Sequence, residues 1–167
     1  MNTSSKVEDC IKHLNEVTGL NLTLDARQTT QFSYQGRTVL LRFVPELAVL
    51  VVHAPLESLE EAAIPGALSD LLEANFMLSS TGGGALSWSQ ETRLVALNFF
   101  LPLDDADSFG FINRLNRLLA LTDEWTNRLR ELNSMAVANK AKQLLNLRKG
   151  TTADSIDLLQ QNSMLRP

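Results

Sequence analysis

Apolar residues recur at steps of three and four between residues 5 and 19. Val7, Cys10, Ile11, Leu14 and Val17 share one stripe, the spacing of a helix that buries one face. Ser4 or Ser5 suits its N-cap and Gly19 its stop. The period then falls to two. Leu22 and Leu24 open an extended stretch that continues at Phe32 and Tyr34, Gln35-Gly36 reads as a turn, and Arg37–Val44 alternates. Pro45-Glu46 interrupts the chain before a third alternating run at 47–54. In the second strand Val39, Leu41 and Phe43 share one face, and Leu40 and Val44 share the other with Arg42. In the third, Leu47, Val49 and Val51 oppose Ala48, Leu50 and Val52. Both faces of this sheet are apolar, so each needs a cover. One is the core; the other is a helix, a second subunit or a bound partner.

Pro55, Pro65 and Gly66 bracket an acidic linker holding Glu57, Glu60 and Glu61, and a helix is expected over 67–78 with Leu68, Leu71, Leu72, Ala74 and Phe76. Next comes Gly82-Gly83-Gly84. A phosphate-cradling loop needs a lysine and a hydroxyl entering a helix. Here Leu86 and Trp88 alternate instead, followed by a turn at Gln90-Glu91-Thr92 and a strand over 94–101. The glycines therefore mark a bend or a close backbone approach ahead of a hairpin.

A long helix follows, striped by Phe109, Ile112, Leu115, Leu118, Leu119, Thr122, Trp125, Leu129 and Leu132. Asp105 and Asp107 sit at calcium-loop spacing, but the fifth position is Phe109, which offers no side-chain oxygen, and the twelfth is Asn116 in place of the needed Glu. Asp107 or Ser108 is better read as the helix cap. Beyond residue 133 the pattern weakens. Leu144, Leu145 and Leu147 suggest one short helix and Ile156, Leu158 and Leu159 another, separated by Gly150-Thr151-Thr152. The expected organisation is one α+β domain over 1–133 and a partly helical or disordered tail over 134–167.

Charge and chemistry narrow the function. Residues 1–133 carry ten Lys/Arg against seventeen Asp/Glu, a balance of −7; residues 134–167 carry five against two, a balance of +3. A body this acidic repels phosphate backbones, so nucleic acid is not expected as a partner. Lys140, Lys142, Arg148 and Lys149 in the tail read as an exposed helix face. The chain has no run of eighteen apolar residues, and its first residues lead into the helix pattern without a charged-then-apolar leader. With one cysteine, these features suggest a cytoplasmic protein. Cys10 and His13 lie a helical turn apart, but no third group orients them, and His53 reads as a strand-edge residue. No catalytic residue, metal site or cofactor is expected.

The runs Leu71-Leu72-Glu73-Ala74-Asn75-Phe76, Thr81-Gly82-Gly83-Gly84-Ala85-Leu86, Val95-Ala96-Leu97 and Leu101-Pro102-Leu103 resemble the Tir-chaperone (CesT-like) family, the small acidic effector chaperones of bacterial type III secretion. The resemblance covers about residues 5–133. It implies an α-β-β-β-α-β-β-α fold with a twisted antiparallel sheet, in a non-enzymatic homodimer. It also implies a partner: the N-terminal segment of a secreted effector, held in extended form and kept competent for secretion. By the same resemblance, Leu71, Leu72, Asn75, Phe76, Leu86, Trp88 and Leu97 build the dimer interface. Phe32, Tyr34, Val39, Leu41, Phe43, Val49 and Val51 are expected to supply much of the cargo-facing surface, and the alternating pattern does not divide them between cargo and core. The alternative is a regulatory or scaffold protein of the same secretion system, binding a regulator or the secretion ATPase.

Overall fold

The computed structural model describes residues 3–78, 80–103 and 107–163. The elements run α1 (Thr3–Thr18), β1 (Thr29–Tyr34), β2 (Arg37–Val44), β3 (Val49–Ser58), α2 (Ile64–Asn75), β4 (Ala85–Trp88), β5 (Leu94–Pro102) and α3 (Ser108–Ser163). The five strands form one antiparallel sheet in the order β1-β2-β3-β5-β4. This is the α+β order expected from the pattern. α3 packs on β3 and β5, and α1 packs on α3, so the core lies between these helices and one face of the sheet.

Local chemistry sets the element boundaries. β1 and β2 are joined by Gln35 and Gly36, both left-handed at φ 51° and 76°, the two-residue hairpin turn whose twist matches the strands. Gly84 lies where an added Cβ would come within 2.6 Å of the Asn98 carbonyl oxygen. The close backbone approach ahead of the β4–β5 hairpin is therefore present. Asp107 caps α3: its Oδ1 accepts the Gly110 N–H at 2.6 Å. Asp105, the other acid of the calcium-loop comparison, lies outside the described residues.

Several boundaries differ from the pattern. Leu22 and Leu24 do not extend β1. Residues 19–25 carry no strand pairing, and Leu22 instead exchanges both backbone hydrogen bonds with the Asn15 amide, at 2.8 and 3.0 Å. The α1 stripe buries Val7, Cys10, Ile11 and Leu14 but leaves Val17 exposed. β3 begins at Val49, because Pro45–Leu47 forms a 3-10 turn that leaves Leu47 exposed. β3 then runs through Pro55 to Ser58, so Pro55 and Glu57 are strand residues and not linker. Proline is tolerated there because β2 pairs with β3 only as far as Leu40–His53, and no partner needs the missing N–H. Pro65 and Gly66 belong to the first turn of α2, where proline costs nothing.

On α3 the buried aromatics are Phe111 and Trp125, and Phe109, placed on the expected stripe, is exposed. The two expected tail helices are one: α3 passes through Gly150-Thr151-Thr152 without a break, since a single interior glycine costs only about 1 kcal/mol. Among its described side chains the last fully buried one is Leu129, and from 137 to 146 every residue is exposed.

Candidate partner-binding surfaces

Cross-strand partners share a sheet face, so the register sorts the strand residues. Phe32 lies opposite Val39, while Leu41–Val52–Phe99 and Phe43–Leu50–Leu101 form rows across β2, β3 and β5. This is the helix-covered face. The other face carries the rows Leu40–His53–Asn98, Arg42–Val51–Phe100 and Val44–Val49–Pro102. All nine of these residues are half-buried or exposed, and Phe100 is 52% exposed. α3, the helix that makes the main contacts with β3 and β5, packs on the opposite face. One polar strand of contacts crosses it: His53 Nδ1 lies 2.7 Å from Asn98 Oδ1, and Asn98 Nδ2 donates to Ser87 Oγ at 2.8 Å. His53 is therefore in the middle of the central strand and not at a strand edge.

The structure divides the seven residues expected to face cargo. Phe32, Val39, Leu41 and Phe43 are core, each under 8% exposed, and they cannot form an open surface. They pack beneath α1 and α3 because their strand positions share parity with Leu50 and Val52. Tyr34 is half-buried on the same covered side, opposite Arg37, and Arg37 pairs with Asp123 on α3. Only Val49 and Val51 lie on the open face. The pattern pointed to that face through Leu40 and Val44 but did not say it was the open one; Phe100 was missed because it falls in a continuous apolar run.

The seven residues expected at a dimer interface divide too. Leu71, Leu86 and Leu97 are core, at 4%, 6% and 0% exposure, which corrects their placement at a surface. Leu72 and Phe76 project outward at 73% and 76%, joined by Met77 at 81%. Met77 and Leu78 both hold left-handed backbones, φ 59° and 54°, a strain of about 1–3 kcal/mol each for a side-chain-bearing residue. The chain thus holds a strained turn that presents apolar side chains to solvent. Asn75 is occupied inside its own chain. Its amide exchanges hydrogen bonds with the Leu86 N–H and C=O, at 2.8 and 2.9 Å, closing the outer edge of β4. Trp88 is half-buried, and its Nε1–H has no partner among the described residues.

A third surface is a groove of about 440 Å³ between α1 and the 22–28 segment, lined by Ile11, Lys12, Asn15, Leu22, Leu24 and Gln28. Groups that could do chemistry do not converge on any of these surfaces. Cys10 is buried, and burial, with help from the Asp9 and Asp107 carboxylates, pushes its thiol up to about 11. It is not a thiolate nucleophile at neutral pH. His13 instead packs at a tilt of 55° against Phe109, ring centres 4.7 Å apart, and lies 3.6 Å from the Glu16 carboxylate. Among the described residues no group of three His, Cys, Asp or Glu side chains is placed to hold a metal ion, and no helix is long and apolar enough to cross a membrane.

A sheet with one uncovered apolar face, a strained apolar helix end and scattered titratable groups defines a protein-binding module. The family model for the Tir chaperone protein (CesT) family matches residues 9–126, and the chain belongs to that family. No curated protein sequence matches it significantly. The fold is similar to that in the ExsC–ExsE complex, with a TM-score of 0.67 and 21% identity over 77% of this chain and 97% of the other. It is similar also to the HopA1–SchA chaperone–effector complex, at 0.58 and 16% over 75% and 94%. The ExoU–SpcU complex from the type III secretion system of Pseudomonas aeruginosa gives 0.55 and 20%, over 73% and 95%.

Proposed function

We propose that this protein is a type III secretion chaperone. It binds an extended segment near the N-terminus of a secreted effector, keeps that effector soluble and delivers it to the secretion apparatus. It works in the cytoplasm as a homodimer and catalyses no reaction. The observation that carries the reading is the uncovered sheet face, where Leu40, Val44, Val49, Val51 and Phe100 form an apolar surface on the body of a chaperone-family fold. An unfolded client can cover such a surface, and ordering on binding keeps its hold reversible. Val49 and Val51 are client contacts in this reading, and Leu72 and Phe76, with Met77, are dimer contacts.

The two surfaces are separated by experiment. Leu72→Asp with Phe76→Asp should halve the mass seen by light scattering, while Val49→Ser with Val51→Ser should leave the mass unchanged and abolish co-purification of an effector from secreting cells. A dimer that survives the first pair, or an effector retained by the second, refutes the corresponding assignment.

A further inference from the structure

β5 is longer than the strand beside it. β4 pairs with β5 only from Ala85–Asn98 to Trp88–Val95, whereas β5 continues to Pro102 with β3 as its only paired strand among the described residues. The hydrogen-bond phase of this free edge follows from Leu86. Its N–H and C=O point away from β5, toward Asn75, so Ala85 and Ser87 bond to Asn98 and Ala96. Two residues past Asn98, the N–H and C=O of Phe100 point to the open edge.

Beside that edge lies a cavity of about 390 Å³, lined by Gly82, Phe99, Phe100, Arg114, Arg117 and Leu121 among others. The Arg114 guanidinium sits 5.6 Å from the centre of the Phe99 ring. Arg128 and Arg130 on the same helix pair with Asp70 and Glu57; among the described residues no carboxylate lies within ion-pair reach of Arg114 or Arg117. Among the described residues, Arg114 and Arg117 thus place two guanidiniums without an ion-pair partner beside the β5 edge of a body with a charge balance of −7.

We propose that this edge and cavity are a docking slot for an extended, acidic–apolar peptide segment of another protein. The segment continues the line of β4, antiparallel to β5. One of its residues exchanges two main-chain hydrogen bonds with Phe100 and shares the open face with the Phe100 side chain. The adjacent residue then projects to the covered face, where its carboxylate meets Arg114 and Arg117 over the apolar wall of Phe99 and Leu121. Main-chain pairing supplies the hold, and the arginine pair selects against basic segments. A second copy fits less well. Self-pairing at Phe100 would bring Phe99 and Leu101 to the cavity and leave both arginine pairs without a carboxylate. The slot does not depend on the effector reading above, because it is defined by its own edge and charge.

The probe is a seven-residue peptide alternating glutamate and valine, with blocked termini, titrated into the full chain and followed by amide chemical shifts. A lysine–valine peptide is the control. The glutamate peptide should shift the Phe100, Gly82 and Gly83 amides, and the lysine peptide should bind at least tenfold more weakly. Arg114→Ala with Arg117→Ala, both exposed, should weaken the glutamate peptide at least tenfold with the melting temperature unchanged. Equal binding of the two peptides, no binding, or unchanged affinity in the double variant overturns the proposal. So does sodium acetate alone reproducing the Phe100 shift, which would make this an anion site only. A change in the oligomer mass of the double variant would make it a contact between copies and also overturn it.

Discussion

The two faces of the sheet are written in the same alphabet and have opposite fates. Val39, Leu41 and Phe43 alternate with Leu40, Arg42 and Val44 along β2, and Leu50 and Val52 with Val49 and Val51 along β3. The first set of each pair is sealed under α1 and α3; the second stays in contact with water. Side-chain type does not decide this, since valine and leucine occur on both faces. The helices decide it by packing on one. An apolar strand face left uncovered is costly in water and hazardous in a cell, and in the proposed function a client supplies its cover.

Substitutions should separate the faces by the kind of loss they cause. The largest effect is on the covered side: Leu41→Ala, at a fully buried position, should cost about 2–5 kcal/mol by creating a cavity, read as a shift in the urea midpoint. Next is the edge of the sheet. Asn75→Ala removes the side chain that bonds the outer edge of Leu86 and should cost about 1–3 kcal/mol for the two stranded backbone groups. On the open side, Val51→Ser or Phe100→Ser should change stability by less than about 1 kcal/mol yet lower client affinity tenfold or more by calorimetry. Equal destabilisation on both faces would mean that the open face is already covered within the chain.

The smallest effect comes from Cys10. Its folded thiol is raised to about 11 from 9.0, so its contribution to stability is complete below pH 9 and is lost as pH rises toward 11. Iodoacetamide at pH 8 should label the native chain far more slowly than the urea-unfolded chain. Matching rates would place the thiol at the surface.

Much of this architecture was legible along the chain. The β2 span, the two-residue turn at Gln35-Gly36, the glycine approach before β4 and the Asp107 cap each rest on local chemistry: a period, a left-handed φ, an absent Cβ, a short carboxylate near free N–H groups. The misreadings share a cause. Pro55 looked like a break and is a strand residue, because the neighbouring strand has stopped pairing by then. Leu22 and Leu24 looked like strand and are not, because Asn15 supplies the hydrogen bonds a strand would have supplied. Asn75 does the same for Leu86. In each case the missing information was which backbone group had a partner across the fold.

The order of elements, the two apolar parities of the central strands and the acidic body were settled by sequence alone, because period and charge are properties of neighbours along the chain. Tertiary structure decided which parity was covered, which leucines of the Leu71–Phe76 run faced inward, and where a strand edge was left open beside two arginines. Those outcomes depend on helices and strands distant in sequence competing for the same surface, and a local pattern holds no record of who wins.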